Sequence, residues 1–130
     1  MTRTRLLATA LGVALALDAC ERQVEAPMTA GLCTQLVVKD GKPVFNTVSE
    51  HEPTLESCAA SLEGMRLRFL HIGGTMEEIT GAYQGQFLFL QKEGVFTAQT
   101  LKGARFLLLV RTGDGRLAKL GAGPSGSAAP

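Results

Sequence analysis

The first half of the chain contains the pattern of a β-hairpin, in which two apolar runs are separated by a turn. Two mainly apolar runs, Leu32–Val38 and Val44–Val48, lie on either side of the pair Asp40-Gly41. Both turn residues tolerate the positive φ that a tight two-residue turn requires. The pattern therefore predicts that the first two strands pair antiparallel.

The stretch that follows has the period of an amphipathic helix. Pro53 suits a first helical turn, where its missing N–H is not needed, and Glu52 or Thr54 lies near the cap. Gly73-Gly74 can end the helix in the left-handed conformation. Between these limits apolar side chains recur at steps of three and four, which predicts one buried stripe. The stripe comprises Leu55, Cys58, Ala59, Leu62, Met65 and Phe69, and the expected solvent-facing residues include Glu56, Glu63 and Arg68.

Three further apolar runs indicate strands after the helix: Gln86–Gln91, Val95–Thr100 and Arg105–Arg111. The last encloses five consecutive apolar residues, which predicts a strand buried on both faces. Arg116–Leu120 is a candidate short edge strand. The order β-β-α-β-β-β, with this possible sixth strand, indicates an α+β fold in which one long helix packs on one antiparallel sheet.

One helix covers only one face of such a sheet. The run Phe87–Leu90 directs large side chains to both faces because successive side chains alternate along a strand. An apolar face that no internal element covers is typically an interface. Two alternatives remain open: a partner protein or a second copy covers the second face, or the sheet curls and closes its own core.

The ends of the chain differ in composition from its middle. Residues 20–31 combine charges, Pro27 and small residues without an apolar period, which is typical of a flexible tether. Residues 121–130 contain only Gly, Ala, Ser and Pro, and we expect them to be disordered because they offer little apolar surface to bury. The expected organisation is an export signal at 1–19, the tether, a single α+β domain at 32–120 and the tail.

The expected export signal has a basic start and an apolar core. Arg3 and Arg5 precede the apolar run Leu6–Leu17. This run is shorter than the roughly 20 residues of helix that span a bilayer, and it has the length of a secretory signal core. The pattern predicts a protein that works outside the cytoplasm.

The tetrad Leu17-Asp18-Ala19-Cys20 follows this core. It resembles the lipobox of bacterial membrane lipoproteins, with leucine three positions before the cysteine and a small residue just before it. The resemblance implies that Cys20 becomes the acylated first residue and attaches the protein to the bilayer, on the periplasmic side of the cell envelope. The alternative is an ordinary signal peptide, cut after Ala16 or Ala19, that leaves a soluble periplasmic or secreted protein.

Cysteine number favours the acylated form. The chain has three cysteines, and assigning Cys20 to a lipid leaves Cys33 and Cys58 as an even pair. An oxidising compartment favours a bond between them, and the helix stripe that carries Cys58 would cover the strand that carries Cys33. Two buried free thiols are the alternative. Neither residue has a second cysteine or histidine at ligand spacing, so we expect no metal site.

Few residues offer other chemistry. Without residues 1–19 the chain has 11 basic and 11 acidic residues, so the basic surface of a nucleic-acid-binding domain is not expected. Glu50-His51-Glu52 and His71 are the histidine positions, but no Gly-x-Ser-x-Gly nucleophile motif accompanies them.

A glycine-flanked segment offers one candidate contact loop. It contains Tyr83, Gln84 and Gln86, and an ordinary bulge or strand entry is the alternative there. We therefore expect a non-enzymatic envelope protein, without cofactor or metal, that acts as an interaction or accessory module. Its expected partners are an envelope protein or a second copy, together with the bilayer at Cys20. A small-molecule or metal-binding periplasmic protein is the first alternative, and a small hydrolase using His51 or His71 is the second.

Overall fold

One helix packs on a seven-stranded antiparallel sheet in the computed structural model, which describes residues 23–75 and 78–120. The elements are β1 (Cys33–Lys39), β2 (Lys42–Ser49), α1 (Leu55–His71), β3 (Ile79–Tyr83), β4 (Gln86–Gln91), β5 (Gly94–Ala98), β6 (Phe106–Arg111) and β7 (Leu117–Lys119). Their spatial order is β2-β1-β3-β4-β5-β6-β7. The predicted α+β class is confirmed. The expected signal, Cys20 and the tail at 121–130 lie outside the described residues.

The helix begins at Leu55, two residues after Pro53. Thr54 has an extended backbone, and its hydroxyl accepts a hydrogen bond from the N–H of Ser57 at 3.0 Å. The Ser57 hydroxyl in turn accepts one from the N–H of Thr54 at 3.1 Å. This reciprocal capping sets the helix start, so Pro53 precedes the cap and the prediction of a first-turn proline is wrong. No helix within the described ranges is long and apolar enough to cross a membrane.

The sheet contains a central strand that the sequence did not indicate. β3 lies between β1 and β4, although its Thr80-Gly81 pair lacks a clear strand pattern. Gly81 is needed because a Cβ there would collide with the side chain of Leu62 on α1 and approach the carbonyl oxygen of Thr34 to 3.0 Å. Pairing on both sides therefore offsets the weak strand preference of glycine.

Each face of the sheet has its own hydrophobic cluster. The helix covers the cluster that contains Leu88 and Leu90, whereas Phe87 and Phe89 lie in the second cluster. Val24 and Ala26 from the N-terminal segment join this second cluster, and the carbonyl of Pro27 accepts a hydrogen bond from the N–H of Gly85. Val24, Ala26 and Pro27 thus contact the sheet, within the segment that was expected to be a flexible tether.

β6 is not buried on both faces, so that prediction is wrong. Phe106 is 67% exposed, and Leu107 is exposed as well. The helix lies mainly over β2, β3 and β4, and in the described part of the chain only the three-residue β7 lies beyond β6. The apolar run therefore reaches a part of the sheet where little covers it.

Candidate functional site

The predicted disulfide is confirmed and lies inside the helix-covered core. Cys33 at the start of β1 and Cys58 in the first turn of α1 are bonded, with their Cα atoms 5.4 Å apart. Both residues are fully buried. The bond therefore joins helix to sheet as a structural link, since an exchange reaction requires an exposed sulfur.

Glu63, expected to face solvent, lies instead between α1 and β6. Its side chain is 4% exposed. Arg111 donates to both carboxylate oxygens, from Nε at 2.8 Å and from Nη2 at 3.0 Å, and Arg66 donates from Nη1 at 3.0 Å. Burial alone would raise the pKa of Glu63, but the hydrogen bonds and charge of Arg111, aided by Arg66, hold that pKa below its ordinary value.

Arg111 also hydrogen-bonds to the backbone of a neighbouring segment. Its Nη1 donates to the carbonyl oxygens of Gln91 and Lys92, in the turn between β4 and β5. One guanidinium therefore connects the helix, β6 and this turn. The arrangement is that of a structural ion-pair cluster, in which Arg66 and Arg111 share the one buried carboxylate of Glu63.

A second polar cluster surrounds Glu52, where the chain enters α1. Ser61 and Ser49 both donate to Glu52 Oε1, the latter at 2.7 Å, and these two hydrogen bonds lower the pKa of Glu52. The Tyr83 hydroxyl donates to the Glu52 carbonyl oxygen at 2.6 Å. The hydroxyls of Ser49 and Ser61 are thus both bonded to the Glu52 carboxylate.

The three residues of the candidate contact loop lie in different environments. Tyr83 is buried at the end of β3, and Gln84 accepts a hydrogen bond from the N–H of Gly31 at 2.8 Å. Gln84 and Gly85, with φ of 44° and 82°, form the tight turn into β4. Of these three candidate residues, only Gln86 lines a surface groove.

The two histidines are not brought together. Both are exposed, His51 before α1 and His71 as its last residue. A helix of 17 residues is about 25 Å long, so they lie at opposite ends of it. Within residues 23–75 and 78–120 no group of three or more His, Cys, Asp or Glu side chains could hold a metal ion.

The groove, of about 360 Å³, lies beside β5 and the loop that leads to β6. It is lined by Gln86, Thr97, Ala98, Gln99, Thr100, Gly103, Ala104 and Phe106. None of these residues is charged, and four of them carry amide or hydroxyl groups. Sequence reasoning singled out only Gln86, because the other lining residues carry no local motif and become a set only when the loop folds beside β5.

Two surface features of the described residues could contact a ligand or a partner. The described residues combine an uncharged groove with a sheet whose first edge strand, β2, is eight residues long. The chain matches no protein-family model, no curated protein and no solved structure. Its function is therefore argued from its own residues.

Proposed function

We propose that this protein is an exported, non-enzymatic envelope module that binds a protein partner by adding a strand at β2. The observation that carries the proposal is the edge position of β2, which among residues 23–75 and 78–120 pairs only with β1. The partner is an envelope protein or a second copy of the chain. Acylated Cys20 holds the module at the membrane.

The backbone of β2 supports strand addition. Lys39 and Lys42 lie opposite one another beside the two-residue turn. Antiparallel alternation then directs the N–H groups of Phe45 and Thr47 away from β1. Pro43 occupies the equivalent position nearest the turn and has no N–H, so it protects only that end of the edge. The remaining edge is a template for a partner strand, with backbone hydrogen bonds supplying affinity.

The cysteines support export and anchoring. Cys33 and Cys58 are bonded to each other, which leaves Cys20 as the third cysteine of the chain. Structural disulfides are typical of proteins outside the cytoplasm. An acylated Cys20 at the end of the lipobox-like tetrad accounts for the odd number of cysteines.

Intact mass tests the anchor. The full chain is expressed in a bacterial host, and protein is recovered from the membrane fraction without reductant. We expect a chain that begins at Cys20, carries added acyl mass and is two hydrogens lighter than its reduced form. Cys20→Ala is the control and should leave the membrane fraction. An unmodified chain beginning at Leu17 or Cys20 would contradict the anchor.

Site-directed photocrosslinking tests the edge. A photoreactive residue replaces exposed Asn46 in β2, or exposed Arg116 as the control position. We expect one discrete adduct from position 46 only. Thr47→Pro should abolish it by removing an outward N–H, whereas the matched Thr47→Val should retain it.

Three results would contradict the proposed edge. One is the absence of any adduct, another is equal adduct from both positions, and the third is an adduct that persists in Thr47→Pro. Thermal unfolding of each variant checks that its fold is retained.

A further inference from the structure

We infer that the groove beside β5 binds a neutral, hydroxyl-rich ligand, and that a short oligosaccharide is the chemical class it fits. This site is separate from the proposed protein interface, because β5 lies four strands from β2 in the sheet. At roughly 4.8 Å between neighbouring strands, the two sites are about 19 Å apart.

The lining chemistry favours a neutral ligand. Gln86, Gln99, Thr97 and Thr100 carry groups that both donate and accept hydrogen bonds, as ligand hydroxyls do. A charged ligand would lose hydration in the groove without meeting an opposite charge. The nearby Arg105 is engaged elsewhere.

Arg105 turns toward the second face of the sheet. Its Nη1 donates to Glu78 at 3.1 Å, and its guanidinium lies 3.5 Å from the centre of the Phe89 ring. Neither Glu78 nor Phe89 lines the groove. The arginine therefore serves the packing of that face and not the binding of an anion in the groove.

Polar groups in the groove remain available to a ligand. Among the described residues, neither the Gln99 amide nor the Thr100 hydroxyl takes part in a hydrogen bond. The Thr97 hydroxyl proton is used within the fold, since it lies 3.0 Å from the Phe87 carbonyl oxygen and 3.2 Å from Gln86 Oε1. Gln86 uses only this Oε1, so its amide N–H groups stay free within that part of the chain. The groove thus presents donors and acceptors that the fold itself does not consume.

Phe106 supplies the apolar part of the site. Its ring is 67% exposed at the wall of the groove, where it can pack on the C–H face of a sugar ring while the amides reach the hydroxyls. A pocket of about 360 Å³ is at the small end of the range for ligand sites, which suits one or two sugar rings. Strand addition by a peptide is disfavoured at β5, which is paired on both sides. The outer edge of β6 is open only over Phe106–Leu108 among the described residues, because β7 pairs with Leu109–Arg111.

Nuclear magnetic resonance titration of the ¹⁵N-labelled full chain tests this inference. The probes are the neutral tetramers of N-acetylglucosamine, glucose in β-1,4 linkage and glucose in α-1,4 linkage, each at millimolar concentration. We expect at least one tetramer to shift amide signals of residues 97–106. Gln99→Ala and Phe106→Ala should each weaken binding about tenfold, whereas exposed Ile72→Ala at the end of α1 should not.

Two results would overturn the inference. One is the absence of shifts in residues 97–106 with all three tetramers, and the other is tighter binding of an oligogalacturonate than of any neutral probe. The variants replace exposed side chains, so their retained signal dispersion shows that loss of binding is not loss of fold. Neither result depends on the β2 edge, so this site and the proposed function can fail separately.

Discussion

Glu63 and Arg111 join the middle of α1 to the end of β6 by two hydrogen bonds across 48 residues of sequence. The helix lies mainly over β2, β3 and β4, so this pair ties the less covered end of the sheet to the helix. Arg66 adds a third hydrogen bond to the same carboxylate. Substitutions in this pair therefore measure how much polar contacts stabilise this part of the fold.

Replacing the buried carboxylate should destabilise the domain. Glu63→Gln leaves Arg66 and Arg111 without a counter-charge, and breaking a buried ion pair costs about 3–5 kcal/mol. Because the two arginines are 15% and 21% exposed, we expect a smaller loss of about 2–3 kcal/mol in the free energy of unfolding. Urea denaturation followed by circular dichroism measures it.

The matched control makes the same chemical change on the same helix. Glu56 lies 3.8 Å from Lys119 with its side chain 35% exposed, so Glu56→Gln should cost less than about 0.5 kcal/mol. Equal losses of unfolding free energy in the two variants would show that burial of Glu63 contributes nothing to stability.

Stability should fall in mild acid. The folded-state pKa values of Glu52 and Glu63 are both lowered from 4.5. A lowered pKa contributes stability that is complete above the unfolded-state value and is lost as pH falls through the folded-state value. The free energy of unfolding should therefore be level near neutral pH and decline below about pH 5. Glu63→Gln should show a shallower decline, and identical pH profiles would contradict the assignment.

Removing the disulfide should lower stability without changing the fold. Its sequence separation of 25 residues gives about 3.5 kcal/mol from loop-closure entropy. We expect that loss in the free energy of unfolding of the Cys33→Ala, Cys58→Ala double variant, measured in urea. Cys20→Ala should leave this free energy unchanged. A loss of the same size in Cys20→Ala would mean that Cys20 takes part in the folded domain.

Replacing either of two glycines with alanine should change the free energy of unfolding, in opposite directions at the two positions. At Gly81 a Cβ meets the Leu62 side chain and the Thr34 carbonyl, so Gly81→Ala should cost about 1–3 kcal/mol through overpacking. At Gly64, inside α1, the nearest atom to a Cβ is 3.7 Å away, so Gly64→Ala should stabilise by about 0.5–1 kcal/mol. Thermal unfolding of both variants measures the difference, and shifts of the same sign would contradict the packing at Gly81.

Local signals were sufficient for much of the fold. Asp40-Gly41 adopts positive φ in the predicted hairpin, and β4 has the predicted bounds. The pairing of Cys33 with Cys58 was predicted from the two cysteines that remain once Cys20 is assigned to a lipid, and from the helix period. Such features depend on turn conformation or on spacing along a single element, so they are readable from neighbouring residues.

The sequence by itself determined the α+β class, the long helix, the hairpin and the disulfide. Tertiary structure decided the burial of Glu63, because its partner Arg111 lies 48 residues away and helical period reports only a position on one helix. It also made β3 a central strand, left Phe106 exposed and brought Gln99, Thr100, Gly103 and Ala104 into one wall of the groove. In each case the deciding contact comes from a distant segment, and no local pattern encodes which distant segment that is.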